Sequence, residues 1–121
     1  MTLIIIEHNG SQIYFNDWTN LKNPEQFSSK VEESNDNTRE LITQGKKDIL
    51  TLTDVTGSFI FGDSVRIIKE ASLLANGITK KSATIGLSSA KKLLLNSLNI
   101  FAKSNVKAFN TIEEAKDWLI E

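Results

Sequence analysis

No cysteine occurs among the 121 residues, which excludes disulfides, thiolate metal sites and thiol nucleophiles together. A single histidine, His8, rules out a multi-histidine metal centre. No segment approaches the roughly 20 consecutive apolar residues that a membrane span requires. The first ten residues carry neither the basic start nor the cleavage site of a secretory signal, so the expected location is the cytoplasm. Charge of one sign is missing as well. Fourteen basic residues against fifteen acidic ones leave a net charge of −1, so no global field draws the chain to nucleic acid or to an anionic membrane. Basic residues cluster only locally, at Lys46 with Lys47, Lys80 with Lys81 and Lys91 with Lys92.

What is present reads as one α/β domain spanning residues 1–121, long enough to bury a single core, with no repeat, linker or low-complexity tract. Two β-prone runs, TLIIIEH and QIYF, flank Asn9 and Gly10. Asn followed by Gly tolerates the positive φ of a type I′ turn, so the chain opens with a β-hairpin. Residues 16–20 form a polar stretch around Trp18, expected to be a loop whose ring folds back onto the core. Asn23, Pro24 and Glu25 make a helix start: a capping side chain, a proline suited to the first position and an acid at the positive end of the dipole. Phe27, Val31, Leu41 and Ile42 share its inward face if Ser34 and Thr38 fill the stripe, and SNDNT at 34–38 marks a possible break. Gly45 is the expected stop.

The organising stretch is 46–77. A strand over 48–53 delivers its carboxyl end to Asp54, then to a loop with Thr56, Gly57 and Ser58, then to an amphipathic helix over 61–76 with Val65, Ile67, Ile68 and Ala71 inward. Arg66 can pair with Asp63 and with Glu70 along its exposed side. A further strand, clearest at 83–87, leads to a helix capped by Ser88 or Ser89 with Leu93, Leu94, Leu98 and Phe101 inward. VKAF at 106–109 is a last short strand. Thr111 and Glu114 then form a capping box before a helix that buries Ala115, Trp118 and Leu119. The order ββαβαβαβα implies a single mixed, mostly parallel sheet flanked by helices, with the hairpin supplying an antiparallel edge.

TLTDVTGSF followed by a long helix, then KKSATIGLSSAKKLLLNSL, then AFNTIEEAKDWL, resembles the bacterial SpoIIAA-like group of STAS/SEC14-type domains over most of the chain. The closing F-x-T-x-E-E-A-x-x-W-L is its best mark. The resemblance implies a mixed sheet flanked by helices and two kinds of role. STAS domains are commonly protein-binding switches phosphorylated on a Ser at the start of the helix after a central strand, while SEC14-type relatives hold an apolar ligand between helix and sheet. The phosphoacceptor segment of STAS switches is D-S-[ST]-G-like. Its nearest match here is Asp63 and Ser64 without the Gly, and Ser58 is the alternative position.

Open α/β sheets place ligands and partners at the carboxyl ends of their strands. Asp54, Thr56, Ser58, Asp63 and Ser64 are therefore the candidate partner-binding or switch residues. Asp54 can equally be the acceptor of a tight turn. Ser88, Ser89, Lys91 and Lys92 follow Gly86 at another strand end and could hold an anion; the P-loop spacing is absent, and the alternative is a plain helix cap with solvated lysines. Phe59, Ile60 and Phe61 could form the mouth of an apolar-ligand site between the 61–76 helix and the sheet. His8, beside the hairpin turn, is expected to face water. There is no G-x-S-x-G elbow. No catalytic residue, metal site or cofactor is expected. The leading reading is a binding module for a protein partner, the alternative a carrier of a small apolar or lipid-like ligand.

Overall fold

The computed structural model describes residues 3–60, 62–97 and 106–121. Asn9 and Gly10 take φ values of 50° and 83°, the left-handed pair a type I′ turn demands. They join β1 (Ile4–His8) to β2 (Ser11–Asp17) as an antiparallel hairpin, with Ile6 opposite Ile13. β2 runs two residues beyond the QIYF alternation because Asn16 and Asp17 pair with Thr53 and Asp54 of β3 (Ile49–Asp54) in parallel register. β3 starts one residue later than expected: Asp48, at φ 55°, is in the left-handed region and cannot join the ladder.

Helix α1 (Pro24–Thr43) opens as its sequence requires, with Asn23 Oδ1 accepting the Gln26 N–H at 2.9 Å. It passes through residues 34–38 unbroken. Thr38 Oγ1 donates back to the Ser34 carbonyl at 3.0 Å, and Arg39 bridges Glu32 and Asp36, each at 2.9 Å. The Trp18 indole N–H reaches the Ser34 hydroxyl at 2.8 Å. Tertiary contact thus overrides the poor local propensity. The buried face is Phe27, Val31, Asn37 and Leu41, whereas Ile42, expected inside, is 43% exposed.

After β3 come α2 (Gly62–Ala75), β4 (Thr79–Ile85), α3 (Ser89–Ser97), β5 (Val106–Phe109) and α4 (Ile112–Leu119). The five strands lie in chain order, parallel from β2 to β5, with β3 in the middle and the hairpin strand β1 as the antiparallel edge. Of the two ion pairs expected along α2, Arg66–Glu70 forms at 3.2 Å and Arg66–Asp63 does not. Thr111 caps α4, accepting the Glu114 N–H at 3.2 Å while its hydroxyl donates to the Glu114 carboxylate at 3.0 Å. Expected core positions Leu98 and Phe101, the Leu94 side chain and the ligand-mouth residue Phe61 lie outside the described residues.

Because side chains alternate along a strand, the sheet has two distinct faces. One packs Ile13, Leu52, Ala83 and Ile85 against Ala115 and Leu119 of α4. The other faces α1 and α2, where Trp18, Phe27, Val31, Val55 and Val65 form a cluster near the carboxyl ends of the strands. Trp18 folds inward as expected, edge-on to Phe27 with ring centroids 6.0 Å apart. Among the described residues no helix is long and apolar enough to cross a membrane.

Leu52 is fully buried at the centre of the α4 side. In urea denaturation, Leu52→Ala lowers stability by about 3 kcal/mol through lost burial and the cavity left behind. Ile42→Ala, on the water side of α1, changes it by less than about 0.5 kcal/mol.

Candidate functional site

Two neighbouring parallel strands end in the same tripeptide pattern, D-x-T, in matched register. At the end of β2, Asp17 Oδ1 accepts the Thr19 N–H at 3.1 Å and its hydroxyl at 2.6 Å. At the end of β3, Asp54 Oδ1 accepts the Thr56 N–H at 2.9 Å and its hydroxyl at 2.6 Å. Asp17 pairs directly with Asp54. The ladder then continues past both strands, with the Trp18 N–H donating to the Asp54 carbonyl at 2.9 Å and the Asn20 N–H to the Thr56 carbonyl at 3.0 Å. Asp54 is therefore a turn acceptor, and the two loops leave the sheet as one paired ribbon.

Ser58 closes that ribbon. It is 1% exposed; its hydroxyl donates to the Trp18 carbonyl and accepts the Leu21 N–H at 2.9 Å. The Phe59 N–H returns a bond to the Leu21 carbonyl at 2.9 Å. The expectation that Ser58 meets a partner is corrected by this burial: the hydroxyl is spent holding two backbone segments together. Ser64 is corrected likewise. At 2% exposure in the first turn of α2, among the few α2 residues that are buried, its side chain is closed to both a partner and a phosphorylating enzyme. Asp63, one position earlier, is exposed.

The second candidate cluster adjoins the first. Ser88 Oγ accepts the Lys91 N–H at 3.3 Å and caps α3. Both lysines are turned to oxygens of the chain itself. Lys91 Nζ donates to the Ser58 carbonyl, and Lys92 Nζ to Asn110 Oδ1 at 2.8 Å. Neither ammonium is aimed at the α3 N-terminus, and Ser89 is exposed as its first residue. Gly86, at φ 88°, lets the β4 end approach closely, since a Cβ there would sit 2.5 Å from the Thr56 nitrogen. The loops after β2, β3 and β4 thus make one rim. Sequence reasoning found the residues on β3 and β4. It missed the β2 contribution, although the repeated D-x-T in DWTN and DVTG was there to be read.

On this rim Phe59 is 52% exposed, with Lys22 Nζ 5.4 Å from its ring centroid and also donating to the Gly57 carbonyl at 2.6 Å. Phe59 therefore points away from the helix–sheet interior, and Ile60, the other described mouth residue, reaches inward. A cavity of about 190 Å³ does lie between α1, α2 and the sheet. Its sheet wall carries Asn16, Thr51, Thr53, Ser82 and Thr84. His8, expected in water, is half-buried with Nε2 3.0 Å from Asp117 Oδ1 on α4.

No protein-family model and no curated protein matches this sequence. Solved structures do. An uncharacterised DUF3478-family protein from Shewanella loihica PV-4 is 18% identical, with a TM-score of 0.69 over 98% of this chain and 92% of that one, and it has a SpoIIAA-like fold. This chain has the SpoIIAA-like fold. A STAS domain protein from Planctomyces limnophilus, an anti-sigma-factor antagonist, is 14% identical with a TM-score of 0.58 over 98% of both chains. In the SpoIIAA-like fold of this chain, the rim just described lies at the carboxyl ends of β2, β3 and β4.

Ser58→Ala strands the Leu21 N–H and one carbonyl in a buried site, and should cost about 2–3 kcal/mol in urea denaturation. The Thr19 hydroxyl first, then its amide, hold the Asp17 carboxyl below the usual carboxylate value. A lowered folded pKa contributes stability that is present above the unfolded pKa and is lost as pH falls through the folded one. Asp17 is exposed, so that contribution is small. Thr19→Val should raise the midpoint of the Asp17 carboxyl, followed by NMR titration, toward the ordinary value.

Proposed function

We propose that the protein is a non-enzymatic regulatory module that binds a protein partner through the rim at the carboxyl ends of β2, β3 and β4, with Phe59 as its anchor. The observation that carries this reading is the contrast between adjacent residues. Ser58 is fully buried and bonded to two backbone groups, and Phe59 beside it is half-exposed. An aromatic ring held out on a fixed backbone contributes contact area without a large ordering cost on binding, the property of interface hot spots. The exposed residues around it, Asn20, Lys22, Thr56 and Asp63, form a polar surround. Leu93, expected inward but 71% exposed on α3, adds a second apolar side chain on a helix whose first turn is tied to the same loop through Lys91.

The likeness in fold to an anti-sigma-factor antagonist of the STAS type supports a regulatory, protein-binding role for this chain. Because Ser58 and Ser64 are buried, the reading does not include phosphorylation of either in the folded state.

The test is quantitative affinity capture with immobilised wild-type protein, Phe59→Ala and Ile42→Ala. Loss of a central aromatic anchor costs about 2 kcal/mol or more, so a partner recovered by wild type should fall at least about tenfold with Phe59→Ala. Ile42→Ala, away from the rim, should recover it unchanged. Equal recovery by the Phe59 variant rules out this surface.

A further inference from the structure

The cavity between α1, α2 and the sheet has a composition that ordinary core does not. Parallel strands buried on both faces normally present Val, Ile and Leu to the helices that cover them. Here alternate positions of β2, β3 and β4 present Asn16, Thr51, Thr53, Ser82 and Thr84 to the cavity. Part of this stripe is paired internally, Asn16 Nδ2 to Thr53 Oγ1 at 3.2 Å and Thr51 Oγ1 to Ser82 Oγ at 2.8 Å. Each hydroxyl that accepts in those pairs still has a proton to donate. From the helix side Asn37 also lines the cavity. It is only 8% exposed, and its carboxamide bonds to no described residue. The Thr84 hydroxyl has no partner among the described residues either.

The Asn37 carboxamide opens onto the cavity, where a group that both donates and accepts can pair with it. The rest of the lining is mixed: Trp18, Leu41, Ile68 and Ala71 are apolar, and Ser34, Thr38, Ser72 and Asn76 are polar. Charge is disfavoured. Among the described lining residues there is no carboxylate, and the one cation is Lys69, which is exposed. A cation carried inside would find no counter-charge, and an anion only the exposed Lys69.

We propose that this cavity is a binding site for a small uncharged molecule with an amide-type donor and acceptor edge on an apolar body. Its amide edge pairs with Asn37 and the Thr53–Thr84 hydroxyls, and its body lies against Trp18 and Ile68. Benzene fills an engineered cavity of about 150 Å³, so 190 Å³ suits a body of roughly six to ten non-hydrogen atoms. This site is separate from the rim, and the proposal does not depend on partner binding.

Benzamide, its anionic isostere benzoate and the apolar ethylbenzene are suitable probes, titrated into the intact protein and followed by amide resonances. Benzamide should shift Asn37, Thr53 and Thr84 saturably, with benzoate and ethylbenzene each at least about tenfold weaker. Asn37→Leu and the near-isosteric Thr84→Val should each weaken benzamide about tenfold and leave ethylbenzene no weaker. Thr84→Val keeps the test open if the Asn37 variant unfolds. Absence of saturable shifts at these residues up to the solubility limit of benzamide overturns the proposal. So does ethylbenzene or benzoate binding as tightly as benzamide, or benzamide binding unchanged in both variants.

Discussion

A single buried hydroxyl, that of Ser58, joins the backbone leaving β2 to the backbone leaving β3. It gives its proton to the Trp18 carbonyl and takes the Leu21 N–H. Without it, two polar backbone groups beside the Trp18–Phe27 cluster would lack partners, and loops would have to open to let water reach them. The strand ladder therefore runs on into the loops, through Trp18, Asn20 and Phe59. Gly86 admits the end of β4 to the same assembly, and Lys91 ties α3 to it. The exposed position of Phe59 follows from this chain of bonds, since the residue before it has no freedom to turn.

The sheet divides its two faces by chemistry. Toward α4 it is closely packed and apolar, and Leu52 sits where three strands and a helix converge. Toward α1 and α2 it is apolar only at the ends. The Trp18 and Val55 cluster closes one end and the Tyr14, Leu41 and Ile49 cluster the other, leaving a hydroxyl-rich middle. This arrangement accounts for the composition of α1. Ser34, Asn37 and Thr38 interrupt its apolar stripe because they face a polar stretch of sheet and the Trp18 indole, where aliphatic side chains would strand those groups.

Much of the architecture could be read from local chemistry. Asn9–Gly10, Asn23–Pro24 and Thr111–Glu114 each place a turn or a cap by a mechanism confined to a few residues, and each is found. What could not be read depends on contacts distant in sequence. The continuity of α1 through 34–38 rests partly on Trp18, and the burial of Ser58 on Leu21, thirty-seven positions away. A serine in a loop reads as exposed until the second loop is known to pass over it. The polar sheet face lay within reach. Thr51 and Thr53, and Ser82 and Thr84, follow the two-residue period of a strand, so the alternation is present in the sequence itself.

Native-state amide hydrogen exchange at Leu21 tests the central claim most directly, because its N–H bonds to a side chain in a loop and to no strand. If the Ser58 hydroxyl fixes the rim, Leu21 should be protected to the same order as the strand amides of Leu52 and Ala83, and should open with them. Exchange of Leu21 at the rate of a freely solvated loop amide, with β3 and β4 still protected, would show that the rim moves independently of the sheet and contradict the account.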